Sequence, residues 1–125
     1  MTLRCFIKLL IGEDETSSFE KARIFGLIDK YESEHPENKV LRKDAAKILH
    51  LYMLKVLSLK DEEDMSAASV LKDLYDCRVC VNHIAQVYLK GIMKAHEYPE
   101  GLKLFDSNVE LSEAEALEAI KTLKG

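Results

Sequence analysis

Cys77-Arg78-Val79-Cys80 has the spacing of a redox or metal pair, and His83 follows one helical turn later. Reactivity at such a pair requires the thiolate to be favoured, as it is at a helix N-terminus beside a cationic side chain. A structural zinc site takes four ligands, commonly as two spaced pairs. Cys5, the one remaining cysteine, has no partner nearby. The redox or metal reading therefore ranks below two small residues at a helix start. An odd cysteine count also does not suggest a disulfide framework, and fits a reducing compartment or incidental buried thiols.

The remaining polar residues do not form a catalytic pattern. His35 precedes Pro36, His50 follows the apolar Leu49, and His83 and His96 flank one helical segment. None makes the helical pair with a glutamate that a zinc hydrolase uses, so each reads as a surface or half-buried side chain. Glu113 and Glu115 lie two apart on a helix and point roughly 200° apart, which prevents them from facing one substrate as a glycosidase pair. No phosphate-cradling glycine loop or nucleophile elbow is present. The expectation is a protein that is not an enzyme and needs no cofactor or metal. Tyr52, Tyr75, Tyr88 and Tyr98 could stack on sugar rings if exposed. Tyr52 and Tyr88 sit on apolar faces, which leaves Tyr75 and Tyr98 as the candidates.

The elements that would position these residues are helical. With five glycines, two prolines and no alternating β-branched runs in 125 residues, helix is the default. Ser17 stands three residues ahead of Glu20, a capping-box spacing, and Ser112 and Glu115 repeat it. "LRKDAAKILHLYMLKVLSL" carries apolar residues at three- and four-residue steps and reads as a central helix. Ser66 is expected to cap a short successor, and "CRVCVNHIAQVYLKG" to form a helix ended by Gly91. The expected hydrophobic centre comprises Phe25, Ile28, Ile48, Leu49, Tyr52, Ile84, Tyr88, Ile92 and Ile120.

Charge excludes some partners. Residues 1–60 hold 11 Lys/Arg against 9 Asp/Glu, and residues 61–125 hold 7 against 13, so the second half supplies all of the net negative charge, -4 over the whole chain. Such a surface repels phosphate backbones, so nucleic acid is not expected as a partner. The opening "MTLRCFIKLLIG" is broken by Lys8 and lacks a small-residue cleavage site, so it reads as an amphipathic helix rather than a signal peptide. No stretch is long enough to span a bilayer, and membrane insertion is not expected.

Two segments run in parallel. "GLIDKYESEHPENKVLRKDAAKIL" and "GIMKAHEYPEGLKLFDSNVELSEAEALEAI" each pass from a glycine and two large apolar residues through a polar loop into a second helix. Aligning the re-entry pairs Val40 with Leu111, Arg42 with Glu113, Asp44 with Glu115 and Leu49 with Ile120. The long loop from Gly91 then reads as the link of a repeated unit, a kind of loop that often carries binding residues.

Leu71-Lys72-Asp73-Leu74, Gly91-Ile92-Met93, Phe105-Asp106-Ser107 and Ser112-Glu113-Ala114-Glu115 occur in the order of a surface-layer homology repeat. Gly26-Leu27-Ile28, Pro36 and Leu41-Arg42-Lys43-Asp44 follow the same order earlier, and the chain resembles that family in two degenerate units. The resemblance implies an all-α fold: a small bundle of about six helices built from two helix-loop-helix repeats. It divides the single domain 1–125 into an N-terminal helix and linker (1–18), a first repeat (19–57) and a second repeat (66–123). It further implies a non-catalytic module at the cell envelope that binds a bacterial secondary cell-wall polysaccharide, often bearing negatively charged ketals, and so anchors a protein. Arg42 would pair its guanidinium fork with a sugar carboxylate at a helix N-terminus. Asp44, Asp73, Gly91 and Glu113 occupy the other motif positions, and Tyr98 the adjoining loop; together these are the candidate ligand-binding residues. Glu113 stands where the family prefers arginine. That reversal motivates the alternative, a divergent helical scaffold that binds a protein partner through its acidic second half and is cytoplasmic, since no signal peptide is visible.

Overall fold

The structure, a computed structural model, describes residues 1–125 and is mostly α-helical. Six α-helices follow in order: α1 (Leu3–Ile11), α2 (Glu15–Ile24), α3 (Lys30–Ser33), α4 (Arg42–Lys55), α5 (Val81–Leu89) and α6 (Glu113–Lys124). Two-residue strands β1 (His96–Glu97) and β2 (Lys103–Leu104) pair antiparallel, with His96 opposite Leu104. This hairpin, closed by Tyr98 N–H on the Leu102 carbonyl (2.8 Å), lies in the loop from Gly91, where only a polar link was expected. No helix is long and apolar enough to cross a membrane.

Caps set the helix boundaries. Ser112 and Glu115 form the expected box: Glu115 N–H donates to Ser112 Oγ (3.1 Å) and Ser112 N–H to Glu115 Oε1 (3.3 Å). Ser17 does not cap α2. Asp14 does, accepting from Ser17 N–H at 2.9 Å, because its carboxylate already satisfies the first-turn donor that Ser17 would have left open. A capping box that was not expected links Asp29 and Glu32 at α3. Leu41 has no side-chain oxygen, so α4 opens on half a box, with Leu41 N–H held by Asp44 Oδ2 at 3.0 Å.

The segment 66–80 departs from expectation. In place of a capped helix it forms three short 3₁₀ turns, at Ser66–Val70, Leu74–Asp76 and Arg78–Cys80. Ser66 is itself held, its N–H donating to Asp64 Oδ1 (3.0 Å). The competing pull is long-range: Lys72 N–H donates to the Lys103 carbonyl (3.1 Å), and the Asp73 carboxylate accepts from Phe105 N–H (2.7 Å) and Asp106 N–H (2.8 Å).

A single cluster of buried apolar side chains unites all the long helices, from Leu3, Phe6, Ile7 and Leu10 of α1 to Ile120 and Leu123 of α6. Ile28, Ile48, Leu49, Tyr52, Ile84, Ile92 and Ile120 belong to it as expected, and Tyr88 packs against it half-buried. Phe25 does not: it is 45% exposed. Phe25 ends α2, and Gly26 then turns the chain through a left-handed conformation (φ 73°), so that Leu27 points inward instead.

The turn at Gly26 has a counterpart at Gly91 (φ 71°), with Leu27 N–H to the Ala22 carbonyl and Ile92 N–H to the Val87 carbonyl both at 2.9 Å. The helices that follow are joined in series. Arg42 N–H and Lys43 N–H, at the start of α4, donate to the carbonyls of Val109 (2.9 Å) and Ser107 (3.0 Å). Leu3 N–H and Arg4 N–H, at the start of α1, donate in the same way to Asn38 (2.8 Å) and Pro36 (2.9 Å). Leu111 N–H meets the Val40 carbonyl (2.8 Å), and Val40 N–H meets the Met1 carbonyl (3.0 Å). Thus α1 docks on the first polar loop as α4 docks on the second, and the Met1 ammonium closes the circuit on Glu110 Oε1 at 3.0 Å.

Candidate functional site: a charged knot and a lysine-lined groove

Arg42 is the centre of the first polar cluster. Its residue is 1% exposed, so the expectation of a guanidinium free to grip a sugar carboxylate is corrected. Nε donates to the Phe105 carbonyl (2.7 Å), one terminal nitrogen to the Lys94 carbonyl (2.6 Å) and the other to Glu115, while the fork lies 4.6 Å from the centroid of the Phe105 ring. It reaches this position because the start of α4 is docked on the loop that precedes α6. Burial pulls the Arg42 pKa below its ordinary value, against the opposing pull of Glu115, Asp106 and Asp73.

Around Arg42 runs a continuous polar chain. His96 bridges two carboxylates, Nδ1 to Asp106 Oδ2 (2.7 Å) and Nε2 to Glu115 Oε2 (2.8 Å), and the Tyr98 hydroxyl donates to the same Asp106 oxygen. Partial burial pushes Glu115 and Asp106 up. For Glu115 the His96 hydrogen bond, the Arg42 charge and Ser112 outweigh it, and for Asp106 Tyr98, His96 and Arg42 do so, leaving both below the usual carboxylate range. The Asp106 contact in turn raises Tyr98.

Of the residues proposed from sequence, Arg42, Asp73, Gly91 and Tyr98 gather at this knot, with Asp73 clamping the loop and Gly91 turning the chain into it. Asp44 caps α4, and Glu113 lies exposed at the start of α6. His96, Asp106 and Glu115 were not singled out as a group. Their spacing follows no helix or strand period, because the hairpin and the α6 cap bring them together.

The second cluster borders a groove of about 450 Å³ between the α3–α4 segment and residues 77–83. Lys39, Lys43 and Lys47 line it with Asp29, Glu32 and Asp44. The acids are engaged internally: Asp29 and Asp44 in caps, and Glu32 on both the Asp29 N–H (2.9 Å) and Lys47. Of the three lysines only Lys47 is in an ion pair. Tyr31, 63% exposed, stacks on His35 at the rim with ring centroids 4.1 Å apart.

Cys77 and Cys80 line the opposite wall, joined in a disulfide with Cα atoms 5.2 Å apart. The reading of two unpaired small residues is corrected: the 3₁₀ turn Arg78–Cys80 brings the two side chains together. Cys5 is free and exposed. His83, on the same wall, meets His50 Nδ1 through its own Nδ1 (2.8 Å), and His50 Nε2 meets Asp61 Oδ1 (2.6 Å). Burial, then the neighbouring His50 and Lys47, lower the His83 pKa below 6.5. The His50 residue is 1% exposed, far from the surface or half-buried place expected of it.

No protein-family model, curated protein or solved structure matches the chain.

Proposed function

We propose that this chain is a non-catalytic binding module of the surface-layer homology kind, whose Lys39–Lys43 groove takes an anionic polysaccharide of the bacterial envelope. One observation carries the reading: every acid lining the groove is held by a cap or a lysine, whereas Lys39 and Lys43 are in no ion pair. A carboxylate-bearing sugar offers the complementary charge, and the exposed Tyr31 ring offers an apolar face for the pyranose. Two further features agree with it, the matching turns at Gly26 and Gly91 and the Asp73 clamp on the second loop. In this reading Arg42 ties the two units together and leaves recognition to the lysines.

The test is co-sedimentation of the full chain with purified bacterial cell walls, with and without their acidic polysaccharide. Binding is expected to need the polysaccharide, to weaken with added salt, and to be lost in a Lys39→Glu/Lys43→Glu variant of unchanged melting temperature. Equal pelleting of that variant and the wild type would defeat the proposal.

The alternative, a scaffold that binds a protein through its acidic half, draws on the face of α6 that exposes Glu113, Glu118 and Leu117 (48%). It predicts a partner lost on Leu117→Lys and indifferent to Lys43.

A further inference from the structure

The Cys77–Cys80 disulfide closes a ring of four residues, the kind of loop that restrains an unfolded chain least. Its position is better suited to chemistry than to stapling. Both cysteines line the groove, Cys77 half-buried and Cys80 buried. Cys80 is also the N-cap residue of α5, a nine-residue helix, so a thiolate released there meets the helix's partial positive charge.

The histidine pair supplies a base. Asp61 is held as a carboxylate, since partial burial is outweighed by the hydrogen bonds from His50 and Asn82, so His50 Nε2 carries the proton it donates. In the tautomer whose His50 Nδ1 accepts, His83 Nδ1 is the donor across the 2.8 Å contact. The lone pair of His83 is thereby placed on Nε2. Lys47 and His50 from α4, and Asp61 from the following loop, are the charged and titratable groups acting on the ring, while Lys43, Asp44, Glu32 and His35 line the rest of the groove.

We propose that the groove is a thiol–disulfide exchange site for anionic low-molecular-weight thiols, with Cys77 Sγ the atom attacked and His83 the base that deprotonates the incoming thiol. The thiolate of the first RSH bonds to Cys77 Sγ as the Cys77–Cys80 bond breaks, and Cys80 leaves as a thiolate that takes up the proton. A second RSH attacks the thiol-derived sulfur of the mixed disulfide, releasing RSSR and leaving Cys77 reduced. Two thiols are oxidised to one disulfide and the protein disulfide is reduced to two thiols. Lys39 and Lys43 hold the anionic end of the thiol. This inference does not rest on the polysaccharide reading: a polysaccharide bound at Lys39 and Lys43 would compete with the thiol for the same groove.

The experiment treats the full chain with mercaptoacetate (anionic) or 2-mercaptoethanol (neutral), quenches with iodoacetamide, and counts alkylation at Cys77 and Cys80 by mass. Wild-type protein should react with mercaptoacetate at a rate nearly flat with pH between 6.5 and 8. His83→Gln should lower the rate at pH 7 about tenfold or more and make it climb about tenfold per pH unit, as for attack by thiolate formed in solution. Lys43→Gln should slow mercaptoacetate and spare 2-mercaptoethanol, and this comparison stands if His83→Gln fails to fold. A disulfide that resists both thiols until the protein unfolds would overturn the proposal. So would identical pH profiles for wild type and His83→Gln, or a Lys43→Gln effect equal for both thiols.

Discussion

Replacing Arg42 by methionine keeps an unbranched apolar stem and removes the guanidinium, with its charge and five donors. In the native structure that leaves the carbonyls of Phe105 and Lys94 without their donor and Glu115 without its cation, at a residue only 1% exposed. Breaking a buried pair from one side costs about 3–5 kcal/mol. Glu115 keeps His96 and Ser112 as partners, which favours the lower half of that range, about 3–4 kcal/mol. For a 125-residue domain the unfolding entropy is about 0.26 kcal/mol per degree, so the melting temperature should fall by roughly 12–15 °C. Urea denaturation followed by circular dichroism measures the change directly, with Glu113→Gln as a surface control expected within about 0.5 kcal/mol of wild type. Arg42→Lys should fall between the two, because one ammonium cannot span three acceptors in different directions. An Arg42→Met loss below about 1 kcal/mol, within the range of an exposed ion pair, would refute the view that this side chain ties α4 to α6 and the loop before it.

Other outcomes follow from the same structure. Asp73→Asn keeps one acceptor oxygen for two donors, Phe105 N–H and Asp106 N–H, and should cost about 1–3 kcal/mol by denaturant titration. Ser107 Oγ is buried without a hydrogen-bond partner, so Ser107→Ala should raise stability by up to about 1 kcal/mol, read as a melting increase of a few degrees. Glu115 and Asp106 titrate lower in the folded protein than their ordinary values of 4.5 and 3.8. Their contribution is complete above those values and is lost as pH falls through the folded pKa, so acid unfolding should steepen below about pH 4.5 and flatten in Glu115→Gln. Gly91→Ala meets open space yet must hold a left-handed backbone, and should cost about 1–2 kcal/mol.

Much of the helical framework was legible because its signals are local. The Ser112–Glu115 box, the terminating Gly91 and the apolar stripe of α4 each depend on residues within one or two turns. The core followed from the same periods, except at Tyr88, which is only half-buried, and at Phe25, where one left-handed glycine exchanges the inward side chain. What was not legible depends on distant pairing. Asp73 reaches across 32 residues to the backbone at Phe105, and that contact competes with the helix expected at 67–75, where 3₁₀ turns form instead. Arg42 drew attention through its place in a motif and its chemistry as a carboxylate binder. Its burial depends on Glu115 and Phe105, 73 and 63 residues away, and no local pattern encodes that. The groove lysines were equally obscure: Lys43 and Lys47 share a helix face, but their difference in pairing is set by Glu32 on a separate helix.

The most direct measurement of the proposed function is a nitrogen-15 NMR titration of the full chain with a carboxylate-bearing oligosaccharide from a bacterial cell wall. Shift changes confined to Tyr31, Lys39, Lys43, Lys47 and His83, and absent in Lys39→Glu/Lys43→Glu, are the predicted result. Changes centred instead on Glu113 and Glu118 of α6, or no change at millimolar sugar, would contradict it.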